Sequence, residues 1–334
     1  MVLVTGGSGL IGSYLLLELS KRGKKIRVLK RKTTQIDAIR HLFEKYASLE
    51  NFAEIEWVNG DLLDIDSLNT PLNGIQTIYH TAAVVDFDDR KRKEIHEVNV
   101  NGTQNLVNSA IEKEVENIVF FSSIAVLDLN PGENKLTENS NWNSERAHSE
   151  YAISKKKAEM EIWRASQEGM NVLVLYPSIV IGSLDGKRES ENIFRWSSKS
   201  NAYATKGITG FIDVRDVAFS TVELTEKEQW NESFLLNSAE KSYLEVFDFL
   251  RELQNKGKTR LLSTKKLKIL YYLSFLSRLF GGKSLSKSSY HALISHSQFS
   301  NEKVKNRLSF SFIPVEEALR FHLNYYLSLK DKSY

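Results

Sequence analysis

Residues 2–15 read VLVTGGSGLIGSYL: an apolar run breaks into four glycines within seven residues, Gly6, Gly7, Gly9 and Gly12, then resumes with helical spacing. Glycine weakens strands and helices alike, so such a cluster marks backbone that must turn tightly or be approached closely. The order strand, Gly-rich turn, helix is the one that cradles a dinucleotide pyrophosphate. One glycine makes the turn, a second lets backbone meet the anion, and a third lets the helix pack close to the strand. The helix N-terminus then offers unpaired N–H groups and a partial positive charge to the phosphates.

The residues that follow keep this alternation. Strand-like runs at Val2–Thr5, Lys25–Leu29, Ile55–Val58, Ile75–His80, Asn117–Phe121 and Val172–Tyr176 are separated by helical patterns at Leu10–Arg22, Asp37–Ala47, Arg90–Lys113 and Glu150–Gln167. Alternation over this length implies parallel pairing with helices on both faces. The expected fold is therefore α/β: a Rossmann-type doubly wound parallel sheet with a smaller, mostly helical C-terminal substrate lobe. The dinucleotide-binding domain is placed at 1–177, with 211–240 returning to it through a helix at Asp213–Thr225 and a strand at Phe234–Leu236. The lobe takes 178–210, which reads as loop-rich, and 241–334. A capping box at Ser242-Tyr243-Leu244-Glu245 opens a helix in it.

The end of the second strand selects the dinucleotide. An NAD site carries an acid about 20 residues on, bonded to the ribose 2′-hydroxyl. Here that strand ends in Arg31 and Lys32, with no acid before Asp37. A carboxylate repels a 2′-phosphate, whereas a guanidinium pairs with it in a charge-assisted fork. NADP(H) is favoured, with NAD(H) as the alternative. Asp61, after the third strand, falls where an adenine would lie, or else caps a helix.

Tyr-x-x-x-Lys occurs twice, at Tyr151…Lys155 and Tyr326…Lys330, and only context separates the two. Tyr151 and Lys155 share a face near the start of a helix. They follow the fifth strand, whose end reads Phe121-Ser122-Ser123-Ile124. Strand ends on that edge hold the ligand of a doubly wound sheet. The second pair is read as a surface coincidence at the C-terminus. Reducing a carbonyl needs a hydride and a proton, and a tyrosine hydroxyl of pKa about 10 can donate the proton. A lysine ammonium about 5 Å away would stabilise the phenolate by roughly 3 kcal/mol, or about two pKa units. A serine hydroxyl bonds the substrate oxygen where charge develops. Periodicity does not separate Ser122 from Ser123.

Together these segments resemble the extended short-chain dehydrogenases/reductases of the NAD-dependent epimerase/dehydratase-like superfamily. TGGSGLIG, GDLLD (Gly60 to Asp64), YHTAAVV (Tyr79 to Val85), NVNGTQNL (Asn99 to Leu106), FFSSIAV, YAISK, YPSIVIG and FIDVRDVA (Phe211 to Ala218) match that family's segments in order. The resemblance implies that Ser123, Tyr151 and Lys155 are catalytic. It implies cofactor contacts from Thr5, Gly6, Gly9, Leu10, Ile11, Gly12, Arg31, Lys32, Asp61, Leu62, Ala82, Ala83, Tyr151 and Lys155, with backbone near Pro177 and Ile179 at the nicotinamide. It also implies a homodimer through the helices near Arg90–Lys113 and Glu150–Gln167. Tyr176, Ile181-Gly182 and Arg215 depart from the family pattern and are expected on the substrate side. Ile124-Ala125 after Ser123 lacks the acidic pair of the dehydratases. In character the chain is closest to the dihydroflavonol-reductase / 3β-hydroxysteroid-dehydrogenase branch.

The expected function is an NADP(H)-dependent oxidoreductase. It moves a hydride between nicotinamide and a carbonyl or alcohol carbon of a small, hydrophobic substrate, with Tyr151 as acid/base. A nucleotide-sugar epimerase using transient oxidation is the alternative. A non-catalytic NADP(H)-sensing protein is a third reading, against which Tyr151 and Lys155 argue. A net charge of +3 over 334 residues gives no global sign of nucleic-acid binding. The chain has no cysteine, which excludes thiol nucleophiles and Cys-ligated zinc and fits a reducing compartment. The seven histidines show no metal-ligand spacing, so no metal is expected. With no signal-peptide pattern at the start, the expected location is cytoplasmic. Between Glu252 and Glu302 there is no acid, while 256–287 carries nine Lys and Arg mixed with aromatics. That stretch can hold an anionic substrate group, rest on an anionic membrane, or simply be a solvated basic face.

Overall fold

In the computed structural model, residues 1–86, 88–278 and 286–331 are described. Short strands that are apolar on both faces must lie inside a sheet with helices above and below. β1 (Val2–Thr5), β2 (Ile26–Lys30), β4 (Thr77–His80), β5 (Asn117–Phe121) and β6 (Asn171–Pro177) do so, while β3 (Glu56–Asn59), with no fully buried residue, takes the edge. β7 (Ile179–Ile181), β8 (Tyr203–Ala204), β9 (Ile208–Asp213), β10 (Glu232–Leu236), β11 (Ala239–Ser242) and β12 (Arg260–Leu261) follow. Seven strands form one sheet in the order β10-β6-β5-β4-β1-β2-β3, parallel throughout. The chain leaves β1 first toward β2 and β3, then returns to β4 and moves the other way. The crevice above β1 and β4 is thus the switch point where such sheets bind ligands.

Alternating side chains divide the core. Val4, Val119 and Leu173 point into one apolar layer with Leu15, Leu16 and Leu19 of the Leu10–Lys21 helix and Val217 of the Val214–Glu226 helix. Leu3, Ile118 and Val172 point into the other, with Leu106 of the Gly102–Glu112 helix and Ile162 of the Glu150–Gln167 helix. Each such aliphatic side chain contributes roughly 1.5–3 kcal/mol by leaving water, which holds the strand ends in fixed register.

Two regions differ from the sequence expectation. The helix expected over Arg90–Lys113 runs without a break from Arg92 to Glu112 but is not uniform: Arg92–His96 passes through a π-helical turn at Glu97–Asn101 into Gly102–Glu112. Hydrophobic periodicity does not reveal one extra residue in a turn. Beside that turn the helix packs closely on the 60s loop, where a Cβ on Gly102 would stand 3.0 Å from Leu62 Cβ. The segment 178–210, expected as loops, contributes strands to a three-stranded sheet, β11-β9-β7. That sheet packs on a third cluster with Phe194, Phe211, Leu250, Leu319 and Tyr326. Tyr326 is fully buried in the Val315–Asp331 helix while Lys330 is exposed, so the tyrosine of the second Tyr-x-x-x-Lys pair is a core residue and only its lysine lies at the surface. The capping box is present: Ser242 Oγ accepts from Glu245 N at 3.2 Å, and Glu245 Oε2 accepts from Ser242 N at 2.8 Å. Part of the basic stretch, 279–285 with Phe280 and Lys283, lies outside the described residues.

Candidate active site

Immediately after β1, Gly6 has φ of 69°, a left-handed conformation open to glycine. A Cβ there would lie 2.5 Å from the Ala82 backbone, so the turn and the β4 exit touch through bare backbone. A Cβ on Gly12 would meet Gly7 Cα and Thr81 Oγ1 at 2.8 Å. Gly9 is the N-cap of the Leu10–Lys21 helix and carries no side-chain cap, which leaves first-turn N–H groups to an anion. This cradle fits a pyrophosphate. Leu10 is buried and packs on Gly182, and Ile11 is partly buried, so what these two offer a phosphate is backbone. Thr5 sits at the end of β1 with its side chain turned inward. It is buried, and its hydroxyl donates to His80 Nδ1 at 2.7 Å, so it stands behind the cradle and not on it.

The other strand ends open on the same edge. Arg31 and Lys32 follow β2, exposed, and enter no ion pair among the described residues. Asp61 follows β3 and uses Oδ1 to accept from Leu63 N at 3.0 Å, a local turn and not a helix cap. The Leu62 carbonyl accepts from Asn105 Nδ2 at 2.9 Å, pinning that loop to the Gly102–Glu112 helix. Ala82 and Ala83 leave β4 half-buried. Pro177 ends β6, and Ile179 begins β7 beside it.

Ser149 Oγ caps the Glu150–Gln167 helix by accepting from Ala152 N at 3.1 Å, placing Tyr151 in the first turn and Lys155 one turn later. Ser123, just past β5, hydrogen-bonds the Tyr151 hydroxyl and also accepts from Ala125 N at 3.1 Å. The structure separates the two serines: Ser122 Oγ is taken by Glu159 Oε2 at 2.7 Å. Lys155 is 3% exposed, and its ammonium rests 4.1 Å from the Phe120 ring centre. Burial pushes Tyr151 up to about 12, partly offset by the Ser123 hydrogen bond. Burial pushes Lys155 down to about 7, partly offset by the charge of Glu159. The expected two-unit lowering of Tyr151 is therefore not found: desolvation is the largest influence on both groups, and it raises the tyrosine and lowers the lysine.

Three supporting residues escaped the sequence reading. Asn99, in the π-helical turn, accepts from Val84 N at 2.7 Å and donates to Val84 O at 3.0 Å and to Ser154 Oγ at 2.9 Å. It ties the β4 exit to the active-site helix. His80 bridges Thr5 and Thr103, with Nε2 at 2.9 Å from Thr103 Oγ1. Burial and the Lys155 charge push it down to about 3, so it is neutral. Thr103 donates to Asn99 O at 2.6 Å, which makes His80 Nε2 the donor and Nδ1 the acceptor. Glu159, fully buried, accepts from Ser122, from Tyr176 OH at 3.2 Å and from Lys156 Nζ at 2.9 Å. The signals were present: Asn99 opens NVNGTQNL, and Glu159 lies four residues beyond Lys155.

Two departures expected on the substrate side are committed to the protein. The Tyr176 hydroxyl goes to Glu159, and its pKa is pushed upward by burial and that charge. Arg215 forks Asp213 at 3.0 and 2.6 Å and lies 3.8 Å from the Phe321 ring.

A parallel switch-point sheet, a glycine cradle and a Ser–Tyr–Lys group on one edge occur here together, and residues 3–216 match the model of the 3-beta hydroxysteroid dehydrogenase/isomerase family. The chain belongs to that family. Among curated members it is 32% identical over 218 residues to a Synechocystis sp. protein provisionally named dihydroflavonol 4-reductase, covering 64% of this chain and 60% of that one. It is 25% identical over 326 residues to sterol demethylase protein B of Methylococcus capsulatus, covering 96% and 95%. The solved structure of gox2253 superposes with a TM-score of 0.82 at 24% identity over 98% of each chain, which shows the shared fold. The 3-beta hydroxysteroid dehydrogenase/isomerase family is one of NAD(P)-dependent extended short-chain enzymes, and the Rossmann-type fold found here is its fold.

Proposed function

We propose that this chain is an NADP(H)-dependent reductase/dehydrogenase acting on a carbonyl or alcohol carbon of a small hydrophobic substrate. The observation that carries the reading is Tyr151, hydrogen-bonded by Ser123, with Lys155 one helical turn away at the ligand edge of the sheet. When bound, the nicotinamide supplies or accepts the hydride. The Gly6–Gly12 cradle would hold the pyrophosphate, and Arg31 with Lys32 the ribose 2′-phosphate. Ser123 would orient the substrate oxygen. Tyr151 stays protonated at neutral pH, being pushed up to about 12. It can donate that proton as charge develops on the oxygen, since an alkoxide is far more basic than a phenolate. Lys155, one helical turn after Tyr151, would bond the nicotinamide ribose. Similarity to proteins named dihydroflavonol 4-reductase and cinnamoyl-CoA reductase supports a reductase over an epimerase. We also propose a homodimer through the helices near Arg90–Lys113 and Glu150–Gln167, the second of which exposes the apolar side chain of Met160.

The test is Tyr151→Phe, assayed by nicotinamide absorbance with NADPH and a panel of hydrophobic aldehydes and ketones. Removing the acid/base lowers turnover by about 10²–10⁴-fold, with NADPH affinity preserved. Turnover within about threefold of the native protein would reject the assignment. Substrate conversion with no net absorbance change would assign an epimerase instead.

A further inference from the structure

The Thr264–Arg278 helix is built inside out. Surface helices turn polar residues to water and apolar ones to the core. Here the inward stripe is Leu267, Tyr271 and Ser274, of which Leu267 is buried and the other two half-buried. The Tyr271 ring packs at a tilt against Tyr290 of the Lys287–Ile294 helix, ring centres 5.3 Å apart, which fixes this orientation. At about 100° per residue, the opposite stripe is Ile269, Tyr272 and Leu273. These are 60%, 60% and 54% exposed, with Leu270 beside them at 49%. Lys266 and Lys268 flank that stripe on either side and Lys265 heads it, all exposed. Arg260 and Leu261 of β12, just upstream, add a further exposed cation and a further exposed apolar side chain. No acidic residue occurs from 253 to 301.

We infer that this face docks on an anionic lipid bilayer. A stripe of aliphatic and tyrosine side chains bordered by lysines matches the boundary of acyl chains and headgroups. Apolar atoms leave water there while the ammonium groups reach the phosphates. A second copy of the chain is a poorer occupant. It would bring like charge to the contact, and four side chains fall well short of the ~800 Å² per partner of a stable interface. An acidic protein would satisfy the lysines and leave Ile269 and Leu273 wet. No helix among the described residues is long and apolar enough to cross a membrane, so the contact is with the surface.

The test is flotation of the full-length protein with vesicles of phosphatidylcholine, alone or mixed with phosphatidylglycerol. The protein is expected to float with the anionic vesicles only, and less so as salt shortens the screening length. Each lysine near the surface is worth about fivefold in partitioning. The combined Lys265→Ala, Lys266→Ala and Lys268→Ala variant should therefore bind about a hundredfold more weakly. Ile269→Asp with Leu273→Asp should stop flotation, with NADPH binding and circular dichroism unchanged, because both side chains lie outside the core. Three results would overturn the inference. One is no flotation with anionic vesicles, and another is equal flotation with neutral ones. The third is a dimer in sedimentation equilibrium that Leu273→Asp splits, which would reassign the face to self-contact.

Discussion

Lys155→Met should make the ligand-free protein more stable, and only over a defined pH range. Lys155 is buried against Phe120 and enters no ion pair among the described residues. Burial is what takes its pKa from 10.5 to about 7. At about 1.4 kcal/mol per pKa unit, holding the ammonium in that site costs roughly 5 kcal/mol relative to the unfolded chain. The sign follows from proton counting. Between pH 7 and 10.5 the unfolded chain keeps the lysine proton and the folded one has lost it, so this contribution to stability rises with pH across the window. Below about pH 7 both states are protonated and the full penalty applies. Methionine fills similar space without charge. The variant should therefore exceed the native protein by about 2–5 kcal/mol near pH 6, and the advantage should shrink toward zero near pH 10. Urea denaturation followed by the fluorescence of the five tryptophans measures this. A variant no more stable near pH 6, or equally favoured at both pH values, would refute the idea that Lys155 is held at a cost for the site.

Two further outcomes follow from the cofactor edge. Arg31→Asp reverses an exposed charge at the end of β2. At about 1–4 kcal/mol per charge near a phosphate, the NADPH-to-NADH affinity ratio should fall by about a hundredfold in fluorescence titrations, and an unmoved ratio would remove Arg31 from the site. Gly12→Ala places a Cβ 2.8 Å from Gly7 Cα and Thr81 Oγ1. Overpacking of that kind costs about 1–3 kcal/mol, so Tm should drop and NADPH binding weaken at least about tenfold; native-like binding would dismiss the cradle.

Much of the edge was legible before any coordinates. The Gly6–Gly12 turn, the basic end of β2 and the Ser123–Tyr151–Lys155 order are local patterns, because each motif needs particular residue types at fixed spacing along one element. What was not legible depends on partners far away in sequence. Ser122 and Ser123 are neighbours, and only Glu159, 37 residues from Ser122, removes one of them. Thr5 matches a binding motif, yet His80, 75 residues on, takes its hydroxyl. Tyr326 repeats the Tyr-x-x-x-Lys spacing but lies in a core that β7, β9, the Asn192–Ser197 and Tyr243–Leu253 helices and the last helix create together.

Alternation of strand and helix, together with glycine at the first turn, determined the parallel sheet from sequence alone. Steric rules and periodicity act over a few residues and leave a signature there. Tertiary structure alone decided the electrostatics. Tyr151 and Lys155 read from their spacing as a mutually activating pair, but both are buried, and desolvation raises one and lowers the other. Desolvation depends on every neighbouring atom, and no spacing in the chain encodes it. The same holds for the Thr264–Arg278 helix. Its basic character is written in the sequence, but which of its stripes meets water was settled by where Leu267 and Tyr271 found their packing partners.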